Sequence, residues 1–346
     1  MFSSEEVDAA LARFPRHPAT HAPTALEPLA RLGASLGLEL TVKRDDCTGV
    51  AFGGNKVRQL EFYIGEAQAK GADTILITGA VQSNFVRTAA AMARRAGMDI
   101  HVQLEERVPD IDDTHRRNGN VLLDRLFGAT IHSFPEGEDE DAADAAIGQI
   151  ADGLRGQGRR PYVIGLAASP PPLGALGYVV GALELAAQHG GSLLPYDEIV
   201  VASGSAQTHC GILFGLRALG IDTPVRGICV RRAADIQEAR VARRLRDMAA
   251  LTGLDVMVPD ADVRCFHDER ERGYGRMSAP TRAAILRTAR DEGLLLDPVY
   301  TGKVMAGLIT LHERGALAGP RVLYWHTGGQ PALFAYAGAL MDDTAS

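Results

Sequence analysis

The stretch VVASGSAQTHCGILFG (200–215) decides how this chain is read. It passes from an apolar strand-like run through small residues into a segment with helical apolar periodicity. Small residues let backbone N–H groups approach an anion, and a helix beginning there adds unpaired donors and a positive dipole end. A phosphate site is therefore predicted at Gly204, Ser205, Ala206, Gln207 and Thr208, with an ordinary capped strand-to-helix turn as the alternative. The segment lacks GxxxxGK[ST], and no GxGxxG opens an early strand–helix–strand unit, so neither a P-loop ATPase nor a dinucleotide-binding dehydrogenase is supported. A cofactor carrying one phosphate remains.

Outward from this stretch, short β-branched or apolar runs alternate with longer helical patterns. Strands are predicted at 74–78, 99–104, 129–134, 161–164, 198–202, 224–229 and 321–325. Helices are predicted near 57–70, 82–97, 113–127, 140–157, 173–189, 208–219, 233–251, 280–291 and 303–314. Strands joined by crossover helices imply a mostly parallel α/β sheet covered on both faces. The loops GVAFGGNK (49–56) and LAASPPPLGALG (166–177) bracket three strand–helix units. A middle domain of about 58–160 inserted between two segments of a larger one fits this punctuation, and so do two consecutive domains. The acidic run PEGEDEDAAD (135–144) suits a helix start, where carboxylates meet the positive dipole end.

The chain has 346 residues, 46% of them hydrophobic and 23% charged, which is the composition of a folded protein with one large or two medium cores. Its 36 basic and 43 acidic side chains leave a formal net charge of −7. Nucleic acid is excluded as an expected partner, because the densest basic run, Arg226 to Arg246, is interrupted by acids and apolar residues and reads as a solvated helix face. Cys47, Cys210, Cys229 and Cys265, spaced 163, 19 and 36 positions apart, match neither a metal-ligand spacing nor a disulfide framework, and a reducing cytoplasm is the simplest location. No export signal is legible, and no apolar run approaches the roughly 20 residues that span a bilayer.

Two further phrases carry chemistry. In GGNKVRQLEF (53–62), Lys56 follows two glycines at a loop-to-helix junction. Partial burial would lower its proton affinity and suit it to bond a carbonyl, while a solvated first-turn lysine is the plainer reading. In ITGAVQSNFVRTAAAMA (77–93), a strand runs into Gln82, Ser83 and Asn84 before an alanine-rich helix. Polar side chains and free helix N–H groups there suit a carboxylate or a ring hydroxyl, or simply cap the helix.

Together these phrases, with ARFPR (12–16), KRDDCTG (43–49), LGALGY (173–178), GYG (273–275), LDPVYTGKVMAGL (296–308) and HTGG (326–329), cover almost the full chain. In order and spacing they resemble the fold-type II pyridoxal-phosphate enzymes, in the group containing 1-aminocyclopropane-1-carboxylate deaminase, D-cysteine desulfhydrase and L-cysteate sulfo-lyase. The resemblance implies a tryptophan synthase β-like architecture of two open, twisted, mostly parallel sheets with helices on both faces. It implies a larger domain of residues 1–57 plus 160–346, a smaller one of 58–159, and pyridoxal 5'-phosphate in the cleft between them.

By the same resemblance, Lys56 holds the cofactor as an imine and later moves the α-proton. Asn84 donates to the ring hydroxyl, Ser83 receives the substrate carboxylate, and Gly204 to Thr208 hold the phosphate. Thr301 faces the pyridine nitrogen, where the ring-opening deaminase has glutamate. That hydroxyl favours β-elimination with a good leaving group over ring opening. Tyr300 and Tyr274 are pocket phenols for proton transfer or orientation; His326 either lines the cofactor cavity or, the plainer reading, is a structural histidine at a strand end, and Arg276 either serves a sulfonate at the mouth or is an exposed loop arginine. Phe85 stands where relatives often have histidine, and LAASPPPLG (166–174) replaces a GGSN-like loop. The implied activity is β-elimination from a small amino acid, releasing sulfide in the manner of D-cysteine desulfhydrase and leaving pyruvate and ammonia. The alternatives are sulfite release from L-cysteate, ring-opening deamination, racemisation, and a cofactor-binding regulator without turnover. A homodimer is likewise only what the resemblance implies.

Overall fold

Runs that are apolar throughout, rather than alternating, become interior strands because helices cover both faces of their sheets. The computed structural model describes residues 1–109, 111–137, 139–165, 171–191, 193–268 and 273–341. Its strands are β1 (Leu26–Pro28), β2 (Glu39–Lys43), β3 (Thr74–Ala80), β4 (Asp99–Glu105), β5 (Thr130–Phe134), β6 (Pro161–Ile164), β7 (Glu198–Ser203), β8 (Val225–Cys229), β9 (Arg264–Phe266) and β10 (Arg321–Trp325). Six form a sheet in the order β1-β2-β10-β7-β8-β9, and four form a second in the order β5-β4-β3-β6. Only the β1–β2 pair is antiparallel. All residues of β3 and β7 are buried. This is the α/β architecture of two mostly parallel sheets that the resemblance implies.

The smaller sheet includes a strand beyond residue 159. β6 pairs with β3 from Thr74 opposite Pro161 to Ile77 opposite Ile164, so this sheet reaches Ile164. The helix Glu140–Gly156 returns the chain to the open side of β3, and β6 completes that edge. This helix starts where the acidic run predicts it, with the Asp139 side chain accepting from Ala142 N at 2.9 Å. The helix expected at 113–127 is broken into Asp113–Arg117 and Asn120–Leu126. Gly119 takes φ +60° between them, and a Cβ there would lie 2.6 Å from Gln82 Oε1. The loop at 166–170 lies outside the described residues.

Two devices hold the segment that carries Lys56. The helix Asn55–Ala69 places Arg58 in a buried ion network, with Nε and Nη2 each 3.0 Å from an Asp45 oxygen and Nη1 2.9 Å from Glu184. Lys43 Nζ is 2.5 Å from Glu184, and Tyr178 and Trp325 donate to Asp45 at 2.8 and 2.9 Å. Burial works to raise the Asp45 pKa, but Arg58, Lys43 and the indole outweigh it and hold the carboxyl at about 2. In the preceding loop a Cβ at Gly53 would meet Asp46 O at 2.2 Å, so the first glycine of GGNK is required by a close backbone approach. Arg87 closes the loop from the other side by donating to the Ala51 and Gly53 carbonyls.

Candidate active site

A cleft partly open to solvent gathers the three chemistry-bearing phrases. Its lining includes Lys56, Ser83, Phe85, the whole run Gly204 to Thr208, Tyr274 and Tyr300. It lies beyond the carboxyl ends of β3 and β7, where open parallel sheets commonly bind ligands. The sequence holds four lysines, at 43, 56, 70 and 303. Lys43 is committed to Glu184, Lys70 pairs with Glu66 on the exterior, and Lys303 donates to Gly273 O, while Lys56 enters the cleft. Lys56 Nζ donates to Gln59 Oε1 at 3.0 Å and sits 5.0 Å from the centre of the Phe85 ring. Desolvation lowers its pKa to about 8, which makes the neutral amine accessible near physiological pH.

The predicted phosphate loop has the required donors. Ala206 adopts φ +72°, and the helix Gln207–Ala218 starts without a side-chain cap. Its first-turn N–H groups are therefore available at the cleft. Thr208 Oγ1 accepts from Asn55 Nδ2 at 2.9 Å and from Gln59 Nε2 at 2.8 Å. Both lone pairs are thus occupied, and the hydroxyl hydrogen is left for another acceptor.

At the turn before the helix Asn84–Arg95, Ser83 Oγ accepts from Val86 N at 3.3 Å and keeps its own hydrogen to donate. Asn84 Oδ1 accepts from Asn120 Nδ2 at 3.0 Å, which leaves the Asn84 amide N–H groups as donors. Gln82 instead ties the turn to the next loop, donating to His115 O at 2.6 Å and Asn118 O at 2.9 Å and accepting from Asn120 N at 2.9 Å. Phe85 lines the cleft and meets Tyr63 edge to face at 6.1 Å between ring centres.

Tyr274 and Tyr300 share a hydrogen bond of 2.9 Å between hydroxyls, and burial raises the pKa of both phenols. Thr301 is fully buried and is not among the lining residues. Its hydroxyl donates to Asp297 Oδ1 and accepts from Asp297 N, each at 2.7 Å. A smaller recess is lined instead by Asn55, Lys56, Asn84, Tyr300, Thr327 and Gly328. His326 is structural, with Nε2 donating to Leu295 O at 3.0 Å and Nδ1 accepting from Gly328 N at 3.1 Å. Arg276 is exposed.

One sequence reading is overturned. The basic run at 226–246 is not simply a solvated face, because Arg231, Arg232, Arg240 and Arg244 line the cleft. Arg107, Glu140, Asn55, Gln59 and Asn120 are further residues of the site that their local sequence does not announce. Among the described residues no cluster of His, Cys, Asp or Glu is fit to hold a metal.

An aldehyde-bearing, singly phosphorylated ring fits this donor set: a desolvated amine, an uncapped helix end with a free hydroxyl hydrogen, and an oriented amide donor. Residues 19–328 match the family described as "Pyridoxal-phosphate dependent enzyme". The chain belongs to the pyridoxal-phosphate-dependent enzymes. Within that family it is similar to the D-cysteine desulfhydrases of Salmonella choleraesuis (strain SC-B67) and Yersinia enterocolitica. Each is 42% identical over 328 residues, covering 94% of this chain and 97% of the relative. A solved structure of an ACC deaminase homologue superimposes with a TM-score of 0.86 at 33% identity, over 97% of this chain and 98% of that one. O-ureido-L-serine synthase, at 18% identity over 96% of each chain and a TM-score of 0.64, shares the fold.

Proposed function

We propose that this pyridoxal-phosphate-dependent enzyme eliminates the β-substituent of a small amino acid, with D-cysteine as the substrate and sulfide, pyruvate and ammonium as products. The observation that carries the reading is Lys56, desolvated to a pKa of about 8 between the phosphate loop and the Ser83–Asn84 turn. The names of relatives with 42% identity over 94% of the chain support the substrate.

Pyridoxal phosphate, when bound, supplies the electron sink for charge developing at the substrate α-carbon. Gly204 to Thr208 hold the phosphate through helix N–H groups and the Thr208 hydroxyl. Asn84, oriented by Asn120, donates to the ring hydroxyl oxygen. Ser83 and the adjoining N–H groups orient the substrate carboxylate. Lys56 takes the α-proton on Nζ. The Tyr300–Tyr274 pair, with phenols kept protonated by burial, holds a proton ready for the departing sulfur. Thr301 stands where the resemblance gives the ring-opening deaminase a glutamate, which supports elimination over ring opening.

Product analysis over D- and L-amino acids tests this reading. Pyruvate plus sulfide from D-cysteine is expected. Formation of 2-oxobutyrate from 1-aminocyclopropane-1-carboxylate, an inverted substrate, or no turnover at full cofactor content would overturn it in favour of a deaminase, a racemase or a regulator. The reading includes a homodimer in the cytoplasm, supported by the family resemblance and by four free cysteines. Sedimentation of the holoenzyme as a monomer at micromolar concentration would overturn the dimer. Among the described residues no helix is long and apolar enough to cross a membrane.

A further inference from the structure

The turn ahead of Lys56 is strained at two residues that are not glycine. Ala51 and Phe52 take φ of +48° and +68°. L-residues in this region persist only where their surroundings hold them. Packing does not hold Phe52, which is 63% exposed. The carbonyls of the residues on either side of it are held by Arg87, which is fully buried. Its Nη1 donates to Ala51 O, and Nη1 and Nη2 each lie 3.4 Å from Gly53 O. Among the described residues the guanidinium makes no other hydrogen bond, and its Nε has no partner.

Arg87 stands at the start of the helix Asn84–Arg95, which Ser83 caps. On the same stretch, the Phe85 ring centre lies 5.0 Å from Lys56 Nζ. Residues 83 to 87 thus carry the donor proposed for the substrate carboxylate, the donor proposed for the ring hydroxyl, the wall beside the Lys56 amine and the arginine that grips its loop. The helix Asn120–Leu126 supports this stretch from behind. Asn120 donates to Asn84 Oδ1 at 3.0 Å, and Asp124, one turn further along, is fully buried with neither carboxylate oxygen hydrogen-bonded among the described residues. Burial raises the Asp124 pKa to about 8 against the pull of Arg87, and burial lowers that of Arg87 to about 10. At neutral pH the guanidinium therefore keeps its charge, and Asp124 takes a proton when Arg87 is removed, so an Arg87 variant strands no carboxylate.

We infer that Arg87 is a positioning residue for Lys56: it pins the strained turn at 51–53, so that the Lys56 amine is presented at a fixed place relative to Ser83 and Asn84. Arg87 lines neither recess of the site, so it acts through the backbone it holds. The inference rests on the β-elimination reading, in which Lys56 takes the α-proton.

Arg87→Met keeps an apolar stem and removes the donors. In the holoenzyme at pH 7, kcat for D-cysteine is expected to fall on the order of 10- to 100-fold, the scale of a misplaced reacting group. KM should stay within about twofold of the parent, because the loss falls on the transition state. The α-deuterium isotope effect on kcat should rise, since transfer to Lys56 is the step that slows. The induced circular dichroism of the bound cofactor should weaken, a readout that needs no turnover. Rescue separates positioning from mere stability. Asparagine accepts the left-handed region, so Phe52→Asn should leave the parent unchanged and restore kcat several-fold in the Arg87→Met background. Val121→Ala, which thins the buried core on the neighbouring helix, should lower the melting temperature without moving the isotope effect or the dichroism. Where Arg87→Met does not fold, Arg87→Lys, which keeps the charge but not the forked donor, carries the same test with the same rescue. Unchanged kcat, a loss confined to KM, or no rescue by Phe52→Asn would overturn the positioning role and leave the elimination reading standing. No pyruvate from the parent at full cofactor content would overturn both.

Discussion

Replacing Thr208 by valine removes a hydroxyl while nearly preserving shape. The Thr208 oxygen accepts from Asn55 at 2.9 Å and Gln59 at 2.8 Å, so its hydrogen is left to donate to the phosphate of the proposed site. Losing a hydrogen bond to a charged group costs about 1.5–3 kcal/mol. The two amide donors left behind are unpaired with and without the cofactor, so their loss largely cancels from the binding constant. The dissociation constant for pyridoxal phosphate is expected to rise roughly 10- to 150-fold in Thr208→Val. Thr208→Ser, which retains all three hydrogen bonds, is expected to stay within a few-fold of the parent. Equilibrium dialysis of the apoenzyme gives these constants, and pyridoxal, which lacks the phosphate, provides the control. Unchanged affinity in Thr208→Val, or an equal loss for pyridoxal and its phosphate, would refute the reasoning.

Three other perturbations probe the surroundings. Ser83→Ala should raise KM for every amino-acid substrate by about 10- to 150-fold with little change in cofactor content, and steady-state kinetics across several β-substituents would expose any exception. Asn120→Ala releases the Asn84 amide and should weaken cofactor binding about fivefold, a loss of about 1 kcal/mol that equilibrium dialysis can detect. Asp45→Asn breaks a buried ion network and should cost roughly 3–5 kcal/mol in denaturant unfolding of the holoenzyme. Because the folded pKa of Asp45 is lowered from 3.8 to about 2, its charge contributes fully above the unfolded value and loses that contribution as pH falls through the folded one. The difference between parent and Asp45→Asn should therefore be constant above about pH 5 and shrink towards pH 2.

The central strands and the phosphate loop are legible locally because each is one continuous stretch. β3 and β7 are buried on both faces and so read as unbroken apolar runs, and the small residues at 202–206 mark the close approach. β1 and β9 have three residues each, too few to show a period. Asn120 stands 36 positions from the Asn84 amide it orients, and only the fold brings them together. Helical periodicity in 233–251 identifies a face, but not that Arg240 and Arg244 meet the cleft. Thr301 illustrates the converse limit: its position in the VYTG phrase is recognisable, yet the partner of its hydroxyl is the buried Asp297.

The account depends most on Lys56 as the lysine that bonds the cofactor. Borohydride reduction of the holoenzyme followed by peptide mass analysis reads this directly, because the chain has only four lysines to distinguish. A pyridoxyl adduct on the peptide containing Lys56 is expected. An adduct on Lys43, Lys70 or Lys303, with Lys56 unmodified, would contradict it.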